Sequence, residues 1–174
     1  MITASDGWNT GALRVLKPIL GYDYLWLNVR VKGGAYGVMN SAGRSGEGYF
    51  VSYRDPNLKE TDQVFEGVAD YLEQFDADER DMTKYVIGTI SDMDTPLLPP
   101  YKGAKAVSAW YSGITDEMLA EERRQVLAAQ PEDIRALAKI IRAILSTGSF
   151  CVVGNSEKIK ENKELFGSIK NLFN

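Results

Sequence analysis

The 174-residue sequence contains no histidine. Without imidazole the chain cannot form a Ser-His-Asp or Cys-His catalytic group, and it cannot supply a His-ligated zinc site. The single cysteine, Cys151, excludes an internal disulfide and a thiolate metal cluster. Its apolar neighbours Phe150, Val152 and Val153 predict a buried thiol. Hydrolytic machinery is therefore incomplete in this chain.

Basic residues and long apolar runs are also scarce. Lysine and arginine number 20 against 24 acidic residues, a net charge of −4, so no broad cationic surface is available for a phosphate backbone. No apolar run approaches the roughly 20 residues that span a bilayer, and the start lacks the basic and then apolar pattern of a signal peptide. We expect no nucleic-acid partner, no membrane partner, and a cytoplasmic location or, in a eukaryote, an organelle matrix.

Apolar residues (44%) and charged residues (25%) occur in ordinary globular proportions, with enough chain for one domain over residues 1–174. Apolar spacing and capping residues predict an α+β fold, in which a small antiparallel sheet packs against a block of helices. The first predicted element, over 9–31, is one helix bent at Pro18 and Gly21 or two short helices divided there. The others are helices from Pro56 to about 75, from Asp78, over 101–112, over 116–129 and from Pro131 to Gly148, a strand over 149–153, and a helix over 156–172.

A β-hairpin is predicted after the first helix. Its residues alternate at a spacing of two on either side of a glycine-rich turn. They are Tyr36, Val38 and Asn40, then Tyr49, Val51 and Tyr53, with Gly43-Arg44-Ser45-Gly46 between them. With the strand at 149–153, we expect a sheet of about three strands with an exposed edge that a partner strand could cover or through which copies could self-associate.

The segment between the first helix and the hairpin is the candidate functional site. Six of the sixteen glycines lie within residues 33–48. Around Gly33 and Gly34 there is little side-chain bulk, so an extended peptide could approach the backbone and pair with it. At its edges Arg30 and Tyr36 could donate hydrogen bonds to a carbonyl oxygen, and donors of this kind stabilise an oxyanion.

The same residues allow other interpretations. An ordinary glycine turn with a core tyrosine explains the same segment, and this alternative stays open. A phosphate-binding loop does not, because the glycines match neither known spacing and precede a strand. The pair Glu121-Glu122 is typical of a solvated helix face, and Trp8, Trp26 and Trp110 are expected to pack in the core.

Several motifs resemble one known family. The resemblance is carried by Arg30-Val31-Lys32-Gly33-Gly34-Ala35-Tyr36-Gly37 after Gly21-Tyr22-Asp23-Tyr24-Leu25-Trp26, and by Tyr53-Arg54-Asp55-Pro56-Asn57-Leu58, Gly88-Thr89-Ile90-Ser91-Asp92-Met93-Asp94, Pro131-Glu132-Asp133-Ile134 and Val152-Val153-Gly154-Asn155. In these motifs the chain resembles the C-terminal domain of pitrilysin/insulinase-type zinc metallopeptidases, in the presequence-protease branch.

The resemblance implies a mitochondrial-processing-peptidase-like metallohydrolase domain, one of four related α+β domains that close around unstructured peptides. In such enzymes zinc lies in the first domain, held by an inverted H-x-x-E-H motif and a further glutamate. The last domain contributes an arginine and a tyrosine to the substrate backbone. The matching positions are Arg30 and Tyr36 as auxiliary catalytic residues, and Gly33, Gly34, Ala35 and Gly37 as substrate-binding residues.

The sequence departs from this family in lacking any His-x-x-Glu-His motif. We therefore expect zinc in the full-length enzyme but none bound by this chain, which should be inactive alone. Because the chain begins almost directly with a helix, we expect a domain truncated at its N-terminus, with the catalytic N-terminal half of the polypeptide and an unstructured peptide as partners. The alternative is a catalytically silent homologue that serves as a structural or peptide-binding subunit.

Overall fold

The computed structural model of the chain describes residues 10–43 and 47–172. Its helices and strands confirm the predicted α+β class, with a small antiparallel sheet against helices. The elements are α1 (Thr10–Ile19), π-helical segments Leu20–Tyr24 and Trp26–Lys32, β1 (Gly37–Ala42), β2 (Gly48–Tyr53), α2 (Lys59–Glu66), α3 (Val68–Glu73), α4 (Glu79–Met93), α5 (Pro99–Tyr111), α6 (Asp116–Ala128), α7 (Pro131–Ala136), α8 (Ala138–Leu145), α9 (Ser156–Glu161) and a 3₁₀ turn Lys163–Leu165. Within the described ranges, no helix has the length and apolar character needed to cross a membrane.

The first helix follows its predicted path but changes its geometry. It is α-helical up to Ile19, and the chain then continues in wider π-helical turns to Lys32. Pro18 lies inside α1 and has no N–H to donate to the preceding turn, so the regular hydrogen-bond ladder is interrupted there. Short π-helical stretches are rare and are often found at functional sites. This one ends in the candidate site.

The hairpin forms as predicted, and its two faces differ. The register pairs Val38 with Ser52 and Met39 with Val51. Val38 and Phe50 pack partly buried against the core, and the Phe50 ring stacks on Phe65 of α2 at 5.6 Å between centroids. On the other face Met39 and Val51 are exposed. Three of the four predicted turn residues, Arg44-Ser45-Gly46, lie outside the described residues.

The hydrophobic core lies around α1, where other helices pack against it. Side chains of α1, α3, α7 and α8 are fully excluded from solvent, among them Val15, Ile19, Leu72, Ile134 and Ile141. At the start of α1, Gly11 lies so close to α6 that an added Cβ would be 2.4 Å from the Gln125 Cβ. The Gln125 side chain accepts a hydrogen bond from the Gly11 N–H at 3.0 Å. It therefore satisfies one of the unpaired donors at this helix end.

The predicted helix start at Pro56 is wrong. The helix begins at Lys59 and divides at Gly67 into α2 and α3. Asp55 does not cap a helix, because its carboxylate accepts hydrogen bonds from the Asn57 N–H at 2.9 Å and from the Thr61 hydroxyl at 2.7 Å. An Asx turn of this kind competes with helix initiation. By contrast, the predicted starts at Asp78 and Pro131 are confirmed.

The predicted strand over 149–153 is also wrong, as is the long final helix. Residues 149–153 are irregular, and α9 gives way after Glu161 to a 3₁₀ turn and irregular chain. Cys151 is exposed and not buried as expected. The composition of this segment favours a strand, but a strand forms only when another strand pairs with it. Within the described ranges, no strand does.

The burial of some further side chains differs from what their neighbours in the sequence predict. Glu122 is 2% exposed and forms an ion pair with Arg14, with Nε and Oε2 2.8 Å apart, so it joins α6 to α1 and is not a solvated surface residue. Trp110, expected in the core, is 75% exposed on α5, and Trp26, also expected in the core, is 40% exposed. Trp8 lies outside the described residues. A helical apolar stripe does not identify the element that covers it, and in the described part of the chain this end of α5 is uncovered.

An aromatic cluster supports the π-helical segment. The Tyr71 ring of α3 stacks on Tyr24 at 4.6 Å. Burial, with smaller contributions from Asp23 and Tyr24, raises the pKa of Tyr71 to about 12. The neutral phenol is therefore the form that the folded protein favours.

This pKa predicts a loss of stability at alkaline pH. Because the folded state holds the Tyr71 proton more tightly than the unfolded chain, whose tyrosine pKa is about 10, the stabilisation is complete below about pH 10 and declines as the pH rises towards about 12. In urea denaturation, Tyr71→Phe should lose less stability than wild type over this range. Tyr101→Phe, at an exposed position, is the control. Equal pH slopes for wild type and Tyr71→Phe would contradict the prediction.

Candidate functional site

The candidate site begins with a tight turn at the end of the π-helical segment. The Gly33 N–H donates to Asn28 at 3.1 Å, the Gly34 N–H to Arg30 at 2.9 Å and the Ala35 N–H to Val29 at 3.2 Å, each to the backbone carbonyl. These bonds satisfy the last carbonyls of the helical segment. The turn is thus a hydrogen-bonded backbone structure that connects Arg30 to Tyr36.

The predicted substrate-binding residues differ in what they offer a ligand. A Cβ on Gly33 would be 2.5 Å from the Val29 carbonyl oxygen, and Gly34 has a φ of +80°. Both positions therefore require glycine for the turn itself. The Ala35 side chain is 4% exposed and part of the core, so it presents no side chain to a peptide. At Gly37 an added Cβ would meet nothing within 4 Å.

This difference gives a paired prediction. Gly34→Ala should lower the free energy of unfolding by about 1–2 kcal/mol, because an alanine at positive φ brings its Cβ too close to the carbonyl oxygen. Gly37→Ala should change it by less than about 0.5 kcal/mol, because the added methyl meets open space. Urea denaturation of the two variants beside wild type measures both. A Gly34→Ala variant as stable as Gly37→Ala would refute the account of the turn.

Arg30 lies half-buried on the π-helical segment Trp26–Lys32. Its guanidinium carbon is 3.9 Å from the centroid of the Trp26 ring. A guanidinium stacked in this way keeps its N–H groups in its own plane, where they can donate to other acceptors. Among the described residues no carboxylate forms an ion pair with Arg30. Its hydrogen-bond donors are therefore available to a ligand.

Tyr36 stands at the other end of the turn and is 64% exposed. Its N–H donates to the Tyr53 carbonyl at 3.1 Å, which extends the hairpin by one residue. Its ring meets the Tyr53 ring edge-on, with 5.9 Å between centroids. Since the backbone and the ring are both held, the phenolic hydroxyl has a defined position at the surface.

Arg54 adds a second cation beside Tyr36, which the sequence did not suggest. Its guanidinium carbon lies 5.7 Å from the Tyr36 centroid and 5.3 Å from the Tyr53 centroid. Its φ of 48° is unusual for a residue with a side chain, and strain of this kind persists only where the surroundings hold it. Tyr36 therefore has one guanidinium, that of Arg54, close to its ring at the edge of the hairpin.

A hydrogen bond from Asn57 that holds the turn in place was also not predicted from the sequence. The Asn57 side-chain amide donates to the Gly33 carbonyl at 2.5 Å. Asn57 is itself held by Asp55, which also binds Thr61 of α2. In the sequence, the motif Tyr53–Leu58 indicated that this region resembles the family, but its Asp-Pro pair predicted the start of a helix and not a contact with Gly33. Only the folded chain brings Asn57 to Gly33.

The donors at this site are suited to a carbonyl oxygen and not to a metal ion. Arginine and tyrosine hydroxyl groups donate hydrogen bonds to neutral or negatively charged oxygens. In the described part of the chain, no three His, Cys, Asp or Glu side chains come together as a metal site, and the whole chain has no histidine.

Comparisons with known proteins agree on one family. The family described as the PreP C-terminal domain matches residues 6–157. The protein HypA of Clostridium perfringens is 50% identical over 163 residues, which cover 94% of this chain and 17% of that protein. Presequence protease 1, chloroplastic/mitochondrial, of Arabidopsis thaliana is 35% identical over 150 residues, covering 86% of this chain and 14% of that protein.

A fungal relative extends the agreement. The mitochondrial presequence protease of Schizosaccharomyces pombe is 30% identical over 128 residues, 73% of this chain and 13% of its own length. The chain therefore spans at most 17% of the length of these three curated relatives. The family match extends over most of the chain and includes the turn with Arg30 and Tyr36. This chain belongs to the presequence protease family and corresponds to its C-terminal domain.

Proposed function

We propose that this domain binds the backbone of an unstructured peptide and assists its hydrolysis by a zinc endopeptidase. Arg30 and Tyr36 donate hydrogen bonds to the substrate carbonyl, whose oxygen gains negative charge as the peptide bond is attacked. The metal is held by another part of the polypeptide, in its N-terminal catalytic half. This chain alone is therefore inactive.

One observation carries the proposal: both donors are accessible at opposite ends of one rigid turn. Arg30 is aligned by Trp26 at 3.9 Å, and Tyr36 by the hairpin and Tyr53. Donors that are already fixed cost little reorganisation when charge develops on the substrate.

A specific observation also favours the silent-homologue alternative. Gly33 and Gly34 are required by the turn itself, so the glycine-rich sequence is explained without any peptide. In that case the domain is a structural or peptide-binding subunit, and Arg30 and Tyr36 have no effect on chemistry.

The named relatives include mitochondrial and chloroplast presequence proteases, and we propose a matrix or cytoplasmic setting for this peptidase too.

Turnover of an unstructured peptide by the complete peptidase distinguishes the two functions. The variants are Arg30→Ala and Tyr36→Phe, each of which removes one donor group. Lys32→Ala and Tyr22→Phe are matched controls, because they change an exposed cation and an exposed phenol in the same segment. Loss of turnover in the first pair alone supports the catalytic role. Equal turnover in all four supports the silent homologue.

A further inference from the structure

Arg54 has a backbone conformation that favours glycine. It follows β2 directly, and in the described part of the chain it is the one residue with a side chain that has a positive φ, of 48°. In this region the Cβ lies close to a carbonyl oxygen, and glycine or asparagine is the usual choice. The protein therefore has an arginine where glycine would avoid strain.

The backbone on both sides of Arg54 holds this conformation. Its carbonyl accepts a long hydrogen bond of 3.4 Å from the Tyr36 N–H, which also donates to the Tyr53 carbonyl at 3.1 Å. On the other side Asp55 accepts the Asn57 N–H at 2.9 Å. Backbone strain that the surroundings maintain is often found at functional positions. The hairpin and the following turn thus determine where the Arg54 side chain begins.

The Arg54 guanidinium lies against two exposed aromatic rings. Its carbon is 5.3 Å from the centroid of Tyr53 and 5.7 Å from that of Tyr36. These two tyrosines are 51% and 64% exposed, so the group lies at the protein surface. A guanidinium held against a ring keeps its N–H donors free for other acceptors. The rings therefore fix the position of the charge without using its hydrogen bonds.

Within the described residues, no carboxylate forms an ion pair with Arg54. In the same part of the chain other arginines do form ion pairs, namely Arg14, Arg123, Arg124, Arg135 and Arg142. Even Asp55, the next residue, uses its two oxygens for the Asn57 N–H and the Thr61 hydroxyl. An oriented and exposed guanidinium of this kind is suited to a carboxylate from another molecule.

We infer that the Arg54 guanidinium binds a carboxylate group of the peptide substrate, close to the bond that is hydrolysed. This rests on the proposed function, in which Tyr36 contacts the reacting carbonyl. The guanidinium carbon is 5.7 Å from the Tyr36 ring, and an extended peptide advances about 3.3 Å per residue. The carboxylate therefore lies within about three residues of that bond. It belongs to an aspartate or glutamate side chain or to the C-terminus of the peptide.

Matched peptides and the complete peptidase test this inference. One unstructured peptide is made with glutamate or glutamine at each position near the cleaved bond, and with a free or an amidated C-terminus. Wild type should have a kcat/KM about fivefold higher for one acidic peptide than for its neutral partner, mainly through a lower KM, which is the upper range for an exposed ion pair. The preference should decrease as the salt concentration rises.

Arg54→Gln should abolish this preference, because glutamine has no charge and no guanidinium fork. Arg80→Gln is the matched control. Arg80 is also exposed, lies on α4 and forms no ion pair among the described residues, so its replacement should leave the preference unchanged.

The position of the preferred acid identifies its source. A preference for glutamate at one position identifies a side chain, and a preference for the free over the amidated peptide identifies the C-terminus. If wild type and Arg54→Gln have the same preference, or neither has one, the inference is wrong. An equal fall in kcat for acidic and neutral peptides would also overturn it, because Arg54 would then only position the Tyr36 ring.

Arg54→Gly tests whether the arginine is present for binding and not for stability. Glycine adopts a φ of 48° without strain, so this variant should unfold at the same urea concentration as wild type or at a higher one. In the complete peptidase it should still lose the preference for the acidic peptide. A clearly lower urea midpoint would show that the side chain mainly stabilises the hairpin, and the inference would be overturned.

Tyr36→Phe separates this inference from the proposed function. The phenylalanine ring still lies beside Arg54, and only the hydroxyl is removed. If both proposals hold, turnover falls while the preference for the acidic peptide stays about fivefold. Unchanged turnover with the preference intact would reject the role of Tyr36 in the reaction and leave the carboxylate site in place. Reduced turnover in Tyr36→Phe, with no preference in wild type, would reject the carboxylate site alone.

Discussion

In the complete peptidase, Tyr36→Phe and Arg30→Ala are each expected to lower kcat about 10²-fold, with little change in KM. The reason is that a donor to the developing oxyanion binds the transition state more tightly than the ground-state peptide. Phenylalanine preserves the ring that meets Tyr53 and removes only the hydroxyl. Its effect therefore measures the hydrogen bond and not the packing.

Controls separate this effect from structural damage. Trp26→Leu should reproduce part of the Arg30→Ala loss, because Trp26 stacks on the guanidinium and fixes its position. Arg30→Lys should not restore turnover fully, since an ammonium group cannot stack and donate in the same fork geometry. The measurement is steady-state kinetics on one unstructured peptide, with melting curves for each variant. A rise in KM at unchanged kcat would instead indicate that the two residues only bind the peptide.

Leu72→Ala is expected to lower the free energy of unfolding by about 2–5 kcal/mol. Leu72 in α3 is fully excluded from solvent within the hydrophobic core, where α3 packs on α7 and α8. Truncation removes one methine and two methyl carbons from an apolar environment and leaves a cavity that the surrounding helices fill only partly. This would be a large part of the stability of a domain of this size.

Leu127→Ala provides the matched control for Leu72→Ala. Leu127 also lies in a helix, α6, but is 61% exposed, so its replacement should change the unfolding free energy by less than about 0.5 kcal/mol. Urea denaturation followed by circular dichroism measures both variants. Similar losses for the two leucines would show that the core is not where the structure places it.

Much of the fold was predictable because it depends on neighbours in the chain. The hairpin follows from alternation on either side of a glycine turn, and its register bears this out. The helix that starts after Asp78 follows from a capping side chain, whose oxygen accepts the Asp81 N–H at 2.8 Å. Local patterns of this kind specify secondary structure without knowledge of the rest of the molecule.

The wrong predictions concern residues whose side chains form contacts that their spacing in the sequence does not show. Asp55 has the sequence context of a helix cap, but Thr61 and Asn57 use its oxygens. Glu122 lies in a charged run and is buried nonetheless, because Arg14 from α1 meets it. A local turn therefore decides the outcome at Asp55, and a partner far along the chain decides it at Glu122.

By itself, the sequence determined the α+β class, the hairpin and the two donors at the ends of a glycine turn, because each depends on spacing within a few residues. Only the tertiary structure decided that Trp26 and Tyr53 support those donors and that Asn57 clamps the turn. It also decided that residues 149–153 pair with no strand in the part of the chain that the structure describes. A strand and a binding site both need contacts between distant segments, and those contacts form only when the chain folds.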